Sequence, residues 1–125
     1  MDKVEFLILR NLIHNEEYVR KVIPFIKADY FEDYNQKIVF EEIIKFVGEY
    51  NQPATKEILC IETEKRQDIN DSSFQEITQL ISSLEDEQSE FNWLVNTTET
   101  WCRDRAIYLA LMESIQLADG KDETK

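Results

Sequence analysis

The residues that could do acid–base, nucleophilic or metal chemistry are few and isolated in this 125-residue chain. His14 is the single histidine, so it has no second histidine to complete a catalytic set. Cys60 and Cys102 fit no metal-binding cysteine spacing and indicate reduced, buried thiols. No serine has the flanking residues of a nucleophile elbow. We therefore predict no catalytic residue, no cofactor and no metal site in this chain.

The densest acidic cluster is the run of residues 85–90, Glu-Asp-Glu-Gln-Ser-Glu, with four acids and no base. Paired carboxylates could serve acid–base or metal chemistry, but no histidine or second acidic cluster stands at a matching spacing. We interpret the run as a solvated loop that places acids at the start of the following helix.

The charge balance argues against direct contact with nucleic acid. The chain carries 14 Lys and Arg against 26 Asp and Glu, a formal net charge of −12, whereas a nucleic-acid binder needs a basic footprint. Trp93, Trp101 and Tyr108 could stack on bases, but a stacking platform normally lies in a positive groove. The basic pairs at 65–66 and at 103 and 105 are interpreted instead as local ion-pair partners.

Glycine content and hydropathy exclude further classes. The two glycines are too few for a phosphate-binding loop, a dinucleotide-binding turn or a β-sandwich rich in turns. The chain opens Met1-Asp2-Lys3 and is polar again at Arg10, which is not a secretory signal, and its apolar runs are too short to span a membrane. We expect a cytoplasmic protein.

Apolar periodicity predicts an all-α fold. Helix N-caps are expected at Asn15, Asp33 and Thr55, with Ser72 or Ser73 capping a further helix. Pro24 should end the second helix, and the apolar residues between 25 and 31 should plug the core between helices. The longest helix is predicted from Phe91 to about Ala118, about 42 Å at 1.5 Å per residue.

The second half of that last helix is its unusual part. It is apolar on nearly every side, and a helix of that kind must be buried against something. A polar turn is expected over residues 119–125, with nothing after it to pack back. We therefore expect this half-helix to pair with a missing segment or with another chain.

The order of several segments resembles a known family. They read YVRKVIPFI from residue 18, DYF from 29, IVF from 38, EYNQPAT from 49 and FNWLV from 91, followed by Glu99, Arg105 and Ala106. This pattern is similar to the N-terminal domain of DnaB-like replicative DNA helicases, most closely those of T-even-type bacteriophages, over residues 8–115. These are helix-packing residues rather than catalytic motifs.

The resemblance implies an architecture and partners. Residues 1–90 would be a helical globule, and residues 91–125 would be the first arm of a truncated helical hairpin. In that family the domain forms one tier of a hexameric ring, pairs with its own copies and binds primase; we add a helicase loader as a further candidate partner. The motor domain, with ATP and Mg²⁺, is separate. This chain has no GxxxxGK[ST] motif, so neither ATP binding nor unwinding is carried over to it.

The pairing residues expected on this basis lie in the last helix. Burial across chains is predicted for Ile107, Tyr108, Leu111, Met112 and Ile115, with Trp101 and Arg105 at the neck between globule and arm. The alternative is that these residues pack within the chain against the first helix.

Two other functions stay open from the sequence. One is the helicase-binding C-terminal domain of a primase, which resembles the same fold; the start at Met1 favours the helicase. The other is an acidic phage protein that mimics DNA or inhibits a host enzyme. That function needs carboxylates arrayed on one face, whereas the acids of this chain are scattered along every predicted helix.

Overall fold

The computed structural model of the protein describes residues 3–123, with side chains up to residue 118. Every regular element in this range is helical, which confirms the predicted all-α class. The α-helices are α1 (Lys3–His14), α2 (Glu16–Val22), α3 (Tyr34–Tyr50), α4 (Lys56–Glu64), α5 (Asp71–Ser82) and α6 (Phe91–Glu123). Two 3₁₀ turns, Ile23–Phe25 and Ala28–Tyr30, lie between α2 and α3.

Three of the predicted N-caps are confirmed. The side chains of Asn15, Asp33 and Thr55 each accept a hydrogen bond from the backbone N–H three residues later, at 3.0, 3.1 and 3.2 Å respectively. Each cap residue is extended while the next residue is helical, so its side-chain oxygen reaches an amide that the helix itself leaves unpaired.

The predicted cap of α5 was wrong. The cap is Asn70, whose Oδ1 accepts from the Ser73 amide at 2.8 Å, and not Ser72 or Ser73. The helix therefore starts earlier than predicted, and both serines lie inside its first turn. Asn and Ser are about equally good caps, so the residue that comes first along the chain can take the role.

The segment after α2 fills the core as predicted. Pro24 lies in the first 3₁₀ turn, directly after α2 ends at Val22. Ile26, Tyr30 and Phe31 are buried. The Phe31 ring lies 5.1 Å from that of Phe40 on α3, so this irregular segment is anchored by aromatic packing.

The core is centred on α1. Ile8, Leu9 and Leu12 are fully buried there, and α1 contacts α2, α3 and α6. On the far side, α3 packs against α4 and α5. His14 connects the end of α1 to the segment just beyond α5, because its Nε2 donates to the carbonyl of Leu84 at 2.7 Å. The histidine is thus structural within the described chain.

The basic pair at 65–66 is confirmed as an ion-pair site. Lys65 reaches Glu62 at 2.7 Å. Arg66 reaches Glu42 at 2.7 Å, Glu41 at 3.1 Å and Asp68 at 2.7 Å, and so joins α3 to the segment after α4. These contacts occupy the cations that a nucleic acid would otherwise use.

The acidic run is a loop, as predicted, and it caps the helix that follows. No residue between 85 and 90 is helical. The Glu90 carboxylate accepts from the Trp93 amide at 2.6 Å. A carboxylate at a helix N-terminus is favoured both by the hydrogen bond and by the helix dipole.

The predicted end of the last helix was wrong. Helix α6 does not give way to a polar turn after Ala118 but continues to Glu123, for a length of 33 residues. A single glycine such as Gly120 costs a helix only about 1 kcal/mol, and each added residue contributes one more backbone hydrogen bond. Residues 124 and 125 of the predicted turn lie outside the described range.

Candidate functional site: the exposed face of helix α6

The first half of α6 belongs to the core of the globule. Leu94, Val95, Thr98, Trp101 and Cys102 are buried there. Burial, together with the smaller effect of the nearby Glu99 carboxylate, raises the pKa of the Cys102 thiol to about 12. Such a thiol stays protonated at neutral pH and is a poor nucleophile.

Trp101 lies within the packing of its own chain. Its ring meets Tyr30 edge-on at 6.0 Å and lies 5.0 Å from Phe31, and only 8% of the residue is exposed. The side chain therefore fastens α6 to the irregular segment that follows α2. It stands where the predicted neck was placed, but it faces the globule.

Arg105 makes a second connection one turn later. Its Nε donates to the Tyr30 carbonyl at 2.6 Å, and its Nη1 donates to Glu32 at 3.2 Å. The guanidinium also lies 5.0 Å from the centre of the Tyr108 ring, in a cation–π contact. Arg105 thereby links the last turn packed on the globule to the first turn that projects from it.

Beyond this neck, α6 leaves the globule. Leu109 is the last partly buried residue, and every residue from 110 to 118 is exposed. We call residues 107–123 the arm. The other five residues of the predicted pairing set lie on it with large exposed fractions: Ile107 54%, Tyr108 47%, Leu111 59%, Met112 37% and Ile115 53%.

These five side chains share one face of the arm, which we call the stripe. At about 100° per residue they fall within an arc of about 140°. Leu117, 64% exposed, points to the opposite side. None of the five is buried against α1, so the alternative of intrachain packing does not describe them.

The stripe carries almost no charge. Between Ala106 and Ala118 the only ionisable side chain besides the Tyr108 phenol is Glu113, and it lies off the arc. A row of large apolar side chains on a projecting helix has no compensating contact with the globule. Such a surface is suited to burial against another apolar surface.

The described residues hold no metal-binding cluster. Among them, no three His, Cys, Asp or Glu side chains gather closely enough to bind a metal ion. The helices described between residues 3 and 123 also include none with the length and apolar composition needed to cross a bilayer.

Comparison with curated proteins identifies the resemblance. Over 111 residues, or 89% of this chain, the sequence is 30% identical to the "DnaB-like replicative helicase" of Enterobacteria phage T4. The chain is similar to a replicative helicase. It spans 23% of the length of that protein, and no family model matches it. The resemblance proposed from the order of segments is thereby confirmed.

Sequence reasoning missed two features of α6. One is the buried contact between Thr98 and Tyr18 of α2, described below. The other is the position of Trp93, which was considered only as a residue that could stack on bases and which is 53% exposed beside α1. A helical projection could have found Trp93, because it lies on the face that later carries Ile107 and Leu111.

Proposed function

We propose that this chain is the N-terminal oligomerisation and primase-interaction region of a replicative DNA helicase, without motor activity of its own. Its similarity to a replicative helicase supports the placement in DNA replication. ATP and Mg²⁺ are assigned to a motor domain elsewhere in the full-length protein. The site of action would be the cytoplasm of the host cell.

The exposure of the stripe is the main observation that supports the oligomerisation role. Hiding a large apolar side chain completely stabilises an interface by about 1.5–3 kcal/mol. Ile107, Leu111 and Ile115 lie one helical turn apart, with Tyr108 and Met112 beside them, so a second helix can cover all five together. We propose that the occupant is the stripe of a second copy, in a two-fold pair.

The pair would be the building unit of a larger ring. In the full-length protein we propose a hexamer, with primase bound to this tier and a helicase loader as a further candidate partner. Direct contact with nucleic acid is not part of the proposal, because a net charge of −12 repels phosphate.

The structure and the similarity bear on the two alternatives. The curated relative is a helicase, which supports that function over a primase domain. An acidic mimic of DNA would need free carboxylates, whereas Glu42, Glu62 and Asp68 are engaged in ion pairs with cations of the same chain. We therefore retain the helicase function.

The pairing is tested with a double substitution and a matched control. Leu111→Asp with Met112→Asp places two charges in the stripe, and Leu117→Asp places one on the opposite side of the same helix. Sedimentation equilibrium should give the wild type and Leu117→Asp a concentration-dependent mass above 14.9 kDa. The double variant should stay at 14.9 kDa with an unchanged circular dichroism spectrum. Equal masses for the wild type and the double variant would contradict the pairing.

The primase role needs its own measurement. A purified primase of the T-even type, titrated into the wild-type chain in a calorimeter, should give a saturable heat. The absence of any heat at micromolar concentrations of both proteins would remove primase from the proposal and leave the pairing intact.

A further inference from the structure

A groove separates α1 from the first half of α6, and the two charged side chains among the described residues that line its end at Trp93 are basic. Phe6 and Trp93 form part of its apolar lining, and Lys3 and Arg10 are the cations. This end has a volume of about 510 Å³. The chain has almost twice as many acids as bases, whereas the described residues that line this end of the groove include two cations and no acid.

The groove continues along α6 toward the arm. A second compartment of about 330 Å³ shares Val4 and Thr97 with the first and extends to Thr100 and Asp104. On α6 the lining residues recur at steps of three and four, so they share one helix face. The stripe lies on the same face further along, and from Trp93 to Ile115 this face is about 33 Å long.

Arg10 is poorly satisfied for an arginine of this burial. Its side chain is only 16% exposed, and its one ion pair with a described residue joins Nη2 to Glu87 at 3.6 Å, with Glu87 itself 68% exposed. A charge-assisted hydrogen bond is normally about 2.7–2.9 Å long. The Arg10 Nε has no hydrogen-bond partner among the described residues. The Nε atom is buried from solvent, but the terminal Nη atoms, which among the described residues make only the long contact with Glu87, have donors left for a carboxylate from outside the chain.

The neighbouring Trp93 is 53% exposed. A half-exposed tryptophan beside a mostly buried arginine matches the residue types that dominate protein–protein interfaces. The presence of both residue types indicates that this groove is a protein-binding site.

We propose that the groove between α1 and α6 binds an amphipathic helix of a partner protein that presents a carboxylate to Arg10 and Lys3. The apolar face of that helix would pack on Phe6 and Trp93, and its carboxylate would replace the long contact of Arg10 with Glu87. The site lies on the globule, on the part of this α6 face that precedes the stripe, and so goes beyond the proposed pairing.

The charges in and around the groove favour a partner helix over a nucleic-acid strand. A nucleic-acid strand would bring a phosphate at every nucleotide, and beyond the two cations its phosphates would meet Asp104 in the groove and the surplus of acids over the rest of the chain. A helix can instead place one carboxylate at Arg10 and keep its outer face neutral or basic.

The probe is a pair of synthetic 18-residue helical peptides with leucines along one face. One carries a single Glu at the edge of that face, and the other carries Gln at the same position. Both are titrated into the Leu111→Asp, Met112→Asp chain, so that pairing through the stripe cannot contribute. Fluorescence anisotropy of the labelled peptide gives Kd, and ¹⁵N spectra report the Trp93 indole N–H.

The Glu peptide should bind at least about fivefold more tightly than the Gln peptide, because it alone offers the carboxylate. Arg10→Gln should abolish that difference, and Trp93→Ala should weaken both peptides. Lys21→Gln and Tyr50→Ala, exposed residues that do not line the groove, should change neither Kd.

Several results would overturn the proposal. They are equal affinity of the two peptides for the Arg10-containing chain, an unshifted Trp93 indole during saturation, or no binding of either peptide at 1 mM. Shifts confined to Tyr108 and Ile115 would assign the peptides to the arm instead. The mass of the wild-type chain decides the stripe pairing separately, so the two proposals fail independently.

Discussion

The hydroxyls of Tyr18 and Thr98 lie 2.6 Å apart in the core, joining α2 to α6 across 80 residues of sequence. Thr98 Oγ1 also lies 2.8 Å from the Leu94 carbonyl, which can only accept, so the one hydroxyl proton of Thr98 is directed there. The Tyr18 hydroxyl is therefore the donor to Thr98. Burial is the main cause that raises the pKa of Tyr18 above its ordinary value.

Removing the Thr98 hydroxyl should destabilise the globule more than removing the Tyr18 hydroxyl does. Thr98→Val leaves the fully buried Tyr18 hydroxyl without an acceptor and should lower the free energy of unfolding by about 1–3 kcal/mol. Tyr18→Phe leaves only an acceptor lone pair unfilled and should cost about 1 kcal/mol. Urea denaturation followed by circular dichroism measures both. A larger loss in Tyr18→Phe would reverse the assigned direction of the bond.

The neck should depend on Arg105 more than on the acid it contacts. Arg105→Gln removes the bond to the Tyr30 carbonyl and the stacking on Tyr108, and should destabilise the globule by about 1–2 kcal/mol. Glu32→Gln should cost less than about 0.5 kcal/mol, because the Glu32 side chain is 69% exposed. Equal effects in urea titrations would show that the ion pair, and not the carbonyl bond, holds the neck.

Of the ion pairs made by Arg66, the one with Glu42 should contribute most to the free energy of unfolding. The Glu42 side chain is 3% exposed, so Arg66→Met leaves its carboxylate with Lys45 alone and should cost about 2–4 kcal/mol. Glu41→Gln should cost less than about 0.5 kcal/mol, since that carboxylate is 38% exposed. Thermal unfolding checks the order, and a loss in Glu41→Gln as large as that in Arg66→Met would contradict it.

Alkaline pH should destabilise the fold through Cys102. The folded pKa is raised from 9.0 to about 12, so the unfolded thiol loses its proton first and the unfolded state binds fewer protons. The free energy of unfolding should therefore fall as pH rises from 9 toward 12. The urea midpoint at pH 7.5, 8.5 and 9.5 should drop less in Cys102→Ala than in the wild type, below the range where Tyr18 adds its own effect. An identical drop in both would assign the loss elsewhere.

Local chemistry explains which parts of the fold could be predicted. Asn15, Asp33 and Thr55 stand alone before strongly periodic segments, and each was identified as a cap. Asn70 is followed by an aspartate and two serines, and side-chain propensity does not rank four good caps in four consecutive residues. The end of α6 was missed because a glycine among charged residues was interpreted as a stop, although its cost is small.

The contacts between distant residues could not be predicted, because periodicity fixes a helix face and not its neighbour. The sequence indicated that Trp101 and Leu111 lie in one apolar helix, but not that one is packed on Phe31 while the other is exposed. The hydrogen bond from His14 to Leu84 likewise depends on where the loop after α5 meets the end of α1. Helical spacing did place the five residues of the stripe on one face, and they are exposed in the structure, whereas their burial against another chain stays a prediction.

The core and the stripe are built on one unbroken helix, and this couples the rotational phase of the arm to the packing of the globule. Thr98 and Trp101 fix that phase by their contacts with Tyr18 and Phe31. One residue inserted between Cys102 and Ile107 would turn the stripe by about 100°, whereas seven would turn it by only about 20° while moving it outward by about 10 Å. The arm can therefore change length without re-aiming its apolar face only by numbers of residues close to whole turns, such as about seven or about eleven.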